Sequence, residues 1–380
     1  MNPFSFLGIK AVCFGIDRVE QLAEDIAELD RETSKIVVIS DFGVAKAGIL
    51  DRIRSVLERP GYDVTVFSEL AGEPHAATVD KVAQLLRRLD HPFVVGLGGG
   101  SALDVAKLAA VIAEDEIPLE AYALCACPFP EPGLKRILIP TTAGTGSEVT
   151  RTAVFTTGKG NKVWAWGHEL LPDLVLLDPC LTVSLPADIT AATGLDAMVH
   201  AIEACTCQNR NPMAEALGLH AIRLAKRHLM TAIEKPAYIE ARSGMLIAST
   251  LAGSAFAQTG TAAAHAIGHA LATVAGMPHG RAVTIGMEVL LPWNAEFSSE
   301  AHAAVAEALG CEKKADQCGP AFTALIDQTG VDRSLADRGI ELEILTHVMM
   351  SEENLPMLQN NARPISKNDG LELARRILVR

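Results

Sequence analysis

The sequence predicts an N-terminal α/β domain followed by an all-α domain. Three observations carry this. Buried-strand and helical patterns alternate through the first part of the chain. A glycine-rich turn follows the third strand directly. Beyond Pro186 the β-branched runs disappear and apolar residues recur every three or four positions. The 380 residues suffice for two cores, since a single core stops growing at roughly 250–300 residues.

Ile36-Val37-Val38-Ile39-Ser40 is a short, continuous apolar run and predicts a strand covered on both faces. Helical spacing then predicts a helix over 44–58. A second strand follows at 63–67 and a second helix at 79–89. Pro92-Phe93-Val94-Val95-Gly96-Leu97 is a third strand that runs into Gly98-Gly99-Gly100-Ser101, and the next helix covers 102–113. This alternation is the pattern of a parallel sheet with helices on both faces.

Between 119 and 133 helical spacing lapses and prolines cluster, which predicts a loop. Short β-like runs follow at 136–139, 150–156, 163–166 and 174–177. From Ala187 the chain is Ala-rich and reads as a bundle of helices. The boundary falls near 181–186, dividing residues 1–185 from 186–380.

Apolar residues make up 49% and charged residues 21%, the profile of a folded globular protein. A formal net charge of −13 without a basic stripe excludes nucleic acid as a partner, because phosphate neutralisation needs clustered cations. No stretch reaches the roughly 20 apolar residues of a membrane span. Met1-Asn2-Pro3-Phe4-Ser5-Phe6 lacks the basic start and apolar core of a signal peptide, so the expected compartment is the cytoplasm. The eight cysteines form no paired C-x-x-C framework and read as reduced, structural thiols.

Gly96-Leu97-Gly98-Gly99-Gly100-Ser101 has the composition of a phosphate cradle. Glycines let the backbone approach a pyrophosphate, and the following helix points unpaired N–H groups at it. Ser101 can cap that helix, with Asp104 in its first turn. The order is G-x-G-x-x-S rather than G-x-G-x-x-G, so the dinucleotide match is imperfect. A second small-residue segment, Pro140-Thr141-Thr142-Ala143-Gly144-Thr145-Gly146-Ser147-Glu148, offers hydroxyls and amides to grip a cofactor from another side. Asp41, after the first strand, can accept from a ribose 2′-hydroxyl and would repel a 2′-phosphate, which favours NAD over NADP; a helix N-cap is its other reading.

The second half carries ligand-type residues in pairs. Asp196 and His200 are four apart on a predicted helix and share a face, as do His265 and His269; His279 follows on a turn with Gly276 and Pro278. Three imidazoles and a carboxylate complete a ligand set for a divalent transition metal. Spacing does not decide between His265 and His269; one of them stands outside the metal's ligands, near the reacting groups.

These residues together resemble the iron-containing (group III) alcohol dehydrogenases over nearly the whole chain. Four stretches carry the resemblance: Gly98-Gly99-Gly100-Ser101 with Asp104 and Lys107, then 140–150, 194–203 and 265–294, the last with His279-Gly280-Arg281-Ala282 and Pro292-Trp293-Asn294. The resemblance implies Asp196, His200, His265 and His279 as metal ligands, and leaves His269 unbound beside substrate and nicotinamide. It implies cofactor contacts at Asp41, Gly98, Gly99, Gly100, Ser101, Thr141, Thr142, Thr145 and Lys162, with Asp104 part of the same motif. The implied fold is an α/β nucleotide-binding domain with a helical domain, the dehydroquinate synthase-like/iron alcohol dehydrogenase architecture, active in the cleft between its domains.

Two departures stand out. Where many relatives carry Asn before the proline after the second strand, this chain has Glu73-Pro74. Where some carry Asn after the threonine-rich loop, it has Thr152. With Val154, Trp166, Phe256 and Asn360 at other expected pocket positions, the wall reads as mostly apolar; Arg151 or Arg363 could meet a carboxylate. The expected function is hydride transfer between NAD and a small alcohol or aldehyde. In it, Fe(II) acts as Lewis acid on the substrate oxygen, zinc and manganese being chemically compatible, and His269 relays the proton. The alternatives are a dehydroquinate synthase-like lyase using NAD and a metal, and a non-catalytic metal- and nucleotide-binding protein. The segment 4–15 reads either as an edge strand of its own sheet or, as the family implies, as a strand paired across a homodimer.

Overall fold

The computed structural model describes residues 4–6, 8, 10–70, 72–335 and 338–379. It separates into two compact units, one comprising Gly8–Thr142 with Gly146–Leu185, the other Ala143–Thr145 with Pro186–Arg380 and Met1–Leu7. The signal-peptide reading rests largely on Met1, Asn2 and Pro3, and part of 4–15 rests on Leu7 and Ile9; these lie outside the described residues.

Among the described residues, the first unit is built on eight strands: β1 (Val12–Phe14), β2 (Lys35–Asp41), β3 (Asp63–Leu70), β4 (Phe93–Gly98), β5 (Arg136–Pro140), β6 (Thr152–Thr156), β7 (Lys162–Trp166) and β8 (Leu174–Leu177). Six of them form one sheet in the order β1-β8-β5-β4-β2-β3, and every pairing in it is parallel. β6 and β7 form a separate antiparallel ribbon. The helices of this unit are α1 (Leu22–Leu29), α2 (Phe42–Lys46), α3 (Ile49–Glu58), α4 (Ala76–Arg88) and α5 (Gly100–Ile112).

Alternation along the strands divides the apolar residues between two cores. Val37, Ile39, Val94 and Leu138 pack with residues of α4 and α5. Ile36, Val38, Phe93 and Val95 face the other way and pack with residues of α1 and α3. This is why the strands read as unbroken apolar runs: both faces are covered.

From β2 the chain moves to β3 on one side, then returns to β4 on the other. The carboxyl ends of β2 and β4 therefore flank the point where the winding reverses, the place where open α/β sheets bind ligands. Asp41 and Gly98 end these two strands, and Gly98 pairs in register with Pro140 at the end of β5.

The second unit contains α6 (Ala187–Thr206), α7 (Pro212–Glu234), α8 (Ile239–Thr259), α9 (Ala263–Ala275) and α10 (His279–Asn294), then α11 (Ser299–Ala308), α12 (Cys318–Thr329), α13 (Leu342–Met349), α14 (Leu355–Asn360) and α15 (Lys367–Leu378). Leu195, Met198, Ile202, Ile267, Ile285 and Phe322 join residues from across these helices in one buried cluster. Small residues set how closely the helices approach. A Cβ on Gly280 would lie 2.5 Å from the Ala192 carbonyl of α6, and one on Gly286 2.7 Å from the Ala264 carbonyl of α9. Glycine at both positions lets α10 seat against α6 and α9.

Three expectations are corrected. The helix predicted over 44–58 is two, α2 and α3, because Gly48 adopts φ 76° between them. The predicted loop from 119 contains a 3₁₀ segment, Leu119–Cys125, with Leu119 and Tyr122 buried. His279 does not sit on a turn but is the first residue of α10, directly after Pro278. Among the described residues, which include all eight cysteines, no disulfide forms, and no helix is long and apolar enough to cross a membrane.

Candidate metal centre and cofactor cradle

Three helices of the second unit bring the ligand-type residues together. α6 carries Asp196 and His200, α9 carries His265 and His269, and α10 begins with His279. Asp196, His265 and His279 each offer a ligand atom within 4.8 Å of the others. His279 Nε2 is 3.7 Å from Asp196 Oδ1, and His200 Nδ1 is 3.6 Å from the same oxygen. His200 Nε2 lies 2.9 Å from His265 Nε2. His200 thus touches two members of the group without lying within reach of all three. His269 stands further out, its ring centre 5.8 Å from that of His279.

The donor set fits a divalent metal on two counts. Two donor atoms held about 2.1 Å from one ion lie about 3.0–3.4 Å apart, and His279 Nε2 and Asp196 Oδ1, 3.7 Å apart, come close to that separation. The imidazole of His200 is also in the ligating form. Burial pushes its pKa well below the ordinary value and the adjacent His265 ring adds to this, so it stays neutral. Phe256, expected as pocket wall, stacks on the His200 ring at 4.3 Å between centres and excludes water from that face.

Sequence reasoning assigned no role to Glu203, yet the structure places it at the hub of the centre. It lies one turn beyond His200 on α6 and is 2% exposed. Its Oε2 accepts from His265 Nδ1–H at 2.7 Å and from the Ala262 amide at 2.7 Å, and its Oε1 from the Ala264 amide at 2.7 Å. With the His265 proton on Nδ1, Nε2 carries a lone pair. The 2.9 Å contact then needs a proton on His200 Nε2. The available signal was helical position: residues 196, 200 and 203 share one face of α6.

The first unit shapes the glycine turn. Gly98 has φ 152°, and a Cβ there would sit 2.7 Å from Asp41 Oδ2 and 2.7 Å from Ala102 Cβ. The Thr141 amide donates to the Gly98 carbonyl at 3.0 Å, tying the threonine loop to the glycine turn. Gly99, not Ser101, is the N-cap of α5, and it has no side-chain hydrogen bond. The first-turn amides, including that of Ser101, are therefore available to a phosphate. Thr142 lies against Gly99, since a Cβ on that glycine would come within 3.3 Å of Thr142 Cγ2. Asp41 is both a strand end and the N-cap of α2, accepting from the Val44 amide at 3.0 Å. Thr145 and its neighbours Ala143 and Gly144 belong with the second unit, where a Cβ on Gly144 would meet the Thr193 backbone.

Asp104 does not lie in the first turn of α5. It lies deeper, and both of its oxygens bind protein: Oδ1 accepts from Ser147 Oγ at 2.5 Å and Oδ2 from the Val154 amide at 2.9 Å. Fully buried Lys107 donates to the carbonyls of Ser147 and Thr152 at 3.0 and 2.6 Å. This pair fixes the segment after the threonine loop to α5. Lys162 forms a 2.8 Å ion pair with Glu73, one of the departures from the family pattern.

The remaining expected pocket residues are distributed as follows. Thr152 and Trp166 pair across the β6–β7 ribbon, as do Val154 and Trp164, and the Arg151 guanidinium lies 4.6 Å over the Trp166 ring. Asn360 spends its amide on structure. Its Nδ2 donates to the carbonyls of Thr259 and Thr261 at 2.9 and 3.0 Å, and its Oδ1 accepts from the Asn209 amide at 3.1 Å. Arg363 lies over Trp293 and Phe297, at 3.8 and 4.8 Å from the ring centres.

Comparison with known proteins agrees across the chain. The family model for iron-containing alcohol dehydrogenase matches residues 10–179, and that for the family's C-terminal region matches 190–378. The long-chain-alcohol dehydrogenase 1 of Geobacillus thermodenitrificans is 33% identical, covering 92% of this chain and 93% of its own. The sulfoacetaldehyde reductase of Bilophila wadsworthia is 31% identical, with 96% of each chain covered. Among solved structures, a 1,3-propanediol oxidoreductase superposes with a TM-score of 0.91 at 29% identity, over 99% of this chain and 100% of that one. The sulfoacetaldehyde reductase of Bifidobacterium kashiwanohense, in complex with NAD+, gives 0.89 at 30% identity, over 100% and 99%. Matches of this extent to dehydrogenases set aside the lyase and non-catalytic alternatives. The chain belongs to the iron-containing alcohol dehydrogenase family.

Proposed function

We propose that this chain interconverts a small alcohol and its aldehyde at a centre where Asp196, His200, His265 and His279 hold Fe(II). The carrying observation is the convergence of these side chains from three helices: Asp196, His265 and His279 each offer a ligand atom within 4.8 Å of the others, and His200 contacts both Asp196 and His265. A divalent iron held there supplies Lewis acidity to an alcohol or carbonyl oxygen, and NAD supplies the hydride acceptor. Zinc and manganese suit the same ligands.

The protein's own residues do the rest. Asp196 brings the one negative charge of the ligand set and lowers the cost of holding a dication in a buried place. Phe256 keeps one face of His200 dry. His269, half-buried and next to His279, is placed to pass the alcohol proton onward, because an imidazole exchanges protons near neutral pH. On the α/β unit, the first-turn amides of α5, with Gly98, Gly99, Gly100 and Ser101, receive the pyrophosphate. Thr141 and Thr142 offer hydroxyls beside it, and Lys162 offers a cation whose pairing with Glu73 moderates its charge. Asp41 holds the adenine-side ribose and disfavours a 2′-phosphate.

The substrate is a small aliphatic alcohol or aldehyde, since the Phe256 ring stacked on His200 supplies apolar surface at the metal ligands. Reduced thiols fit the cytoplasm. A homodimer through the β1 edge is supported by the exposure of Val12 and Phe14 on that edge strand.

The test is NADH formation at 340 nm by anaerobically purified, Fe(II)-loaded protein with NAD and a panel of alcohols, diols and hydroxyacids. Turnover that disappears on chelation and returns with Fe(II) is expected. Turnover indifferent to chelation would overturn the proposal.

A further inference from the structure

One fully engaged, buried carboxylate in the helical unit is none of the proposed ligands. Glu203 is 2% exposed and accepts three hydrogen bonds, each 2.7 Å long, from His265 Nδ1 and from the Ala262 and Ala264 amides. All three partners are donors. A carboxylate, which only accepts, satisfies them together, whereas a carboxamide would turn an NH₂ group toward one of them. α9 has no capping side chain of its own: its N-cap is Ala262. Glu203 supplies that cap from another helix, some 60 residues earlier, where the positive end of the α9 dipole favours an anion.

From this geometry we infer that Glu203 is a positioning residue for the metal centre: it locks His265 in the Nδ1–H tautomer and pins the first turn of α9, so that His265 Nε2 points its lone pair toward the other ligands. The inference rests on the proposed ligand set. α6 then supplies two ligands, Asp196 and His200, and also orients a third that belongs to α9. An imidazole whose far nitrogen donates to a carboxylate is a better-aimed and more basic ligand than a free one, and removal of such partners typically costs about 10- to 100-fold in metal affinity.

A purely structural role as the cap of α9 is the competing account, and metal release separates the two. Full-length protein is loaded with Zn(II), and release to excess chelator is followed for the native protein, Glu203→Gln, Asn360→Ala and His265→Ala. Asn360→Ala removes donors to the Thr259 and Thr261 carbonyls, loosening the same approach to α9 without touching His265. Glu203→Gln is expected to release metal about 10- to 100-fold faster than the native protein. Asn360→Ala is expected to lower Tm while staying within about threefold of the native release rate. If the two variants speed release equally for equal loss of Tm, Glu203 is only a cap and the inference is overturned.

His265→Ala keeps the two failures apart. If that variant holds Zn(II) as tightly as the native protein, the ligand reading itself fails. If it loses the metal while Glu203→Gln releases it at the native rate, Glu203 alone is misassigned. Should Glu203→Gln not fold, ¹⁵N NMR of histidine-labelled, metal-free native protein reads the tautomer directly. A protonated Nδ1 and unprotonated Nε2 on His265 are expected, and the reverse would overturn the inference.

Discussion

Lys107 Nζ lies 3.0 Å from Asp104 Oδ1, and the lysine side chain is completely shielded from water. Burial pushes the Lys107 amine below its ordinary pKa, and the Asp104 carboxylate opposes that shift. The pair links α5, which begins at the glycine turn, to Ser147, Thr152 and Val154, which follow the threonine loop. One ion pair thereby holds two arms of the cofactor cradle in register.

Removing one member of a buried pair leaves the other without compensation, which costs about 3–5 kcal/mol. Lys107→Met should accordingly lower the unfolding free energy by about 3 kcal/mol in urea titrations. A loss below about 1 kcal/mol would show that the remaining donors satisfy Asp104 on their own.

Gly98 has no room for a methyl group between Asp41 and Ala102, and its φ of 152° is strained for any other residue. Gly98→Ala should weaken NAD binding by tenfold or more while leaving metal content unchanged, with isothermal titration and elemental analysis as the readouts. Native NAD affinity in this variant would contradict the cradle.

Asp41 ends β2 next to that glycine, where a 2′-phosphate would meet its charge. Asp41→Gly should shift the kcat/KM ratio toward NADPH over NADH. Loss of the cap to the Val44 amide should also cost about 1 kcal/mol. A stability loss with an unchanged cofactor ratio would leave only the capping role.

His269 neighbours His279 but stands outside the group formed by Asp196, His265 and His279. His269→Ala should keep its metal and lose about 10²-fold or more in kcat. Metal loss in this variant would move His269 into the ligand set.

The order of strands and helices was legible because each type has its own period, and the two-sided burial of the sheet appears as unbroken apolar runs in β2 and β4. Breaks that preserve the apolar spacing were not legible. Ala45, Ile49, Ile53 and Val56 keep one helical spacing through the Gly48 turn that separates α2 from α3. The N-cap of α5 was misplaced because Ser101 has the better capping chemistry, whereas Gly99 has the required extended backbone. Glycines and i,i+4 pairs made the candidate site visible, since both are local signals. Glu203 and Asn360 act on groups 59 or more residues away in sequence, apart from chain neighbours, and nothing in their local context marks that.

The most direct test of the central claim is metal stoichiometry in metal-free protein titrated anaerobically with Fe(II), for the native chain and for Asp196→Asn, His200→Ala, His265→Ala and His279→Ala. The account predicts about one tightly held ion per native chain and a large loss of affinity in every variant, because each removes one of four ligands. A variant that still binds one Fe(II) with native affinity would contradict the ligand set at that residue; native-like binding in all four would place the metal elsewhere.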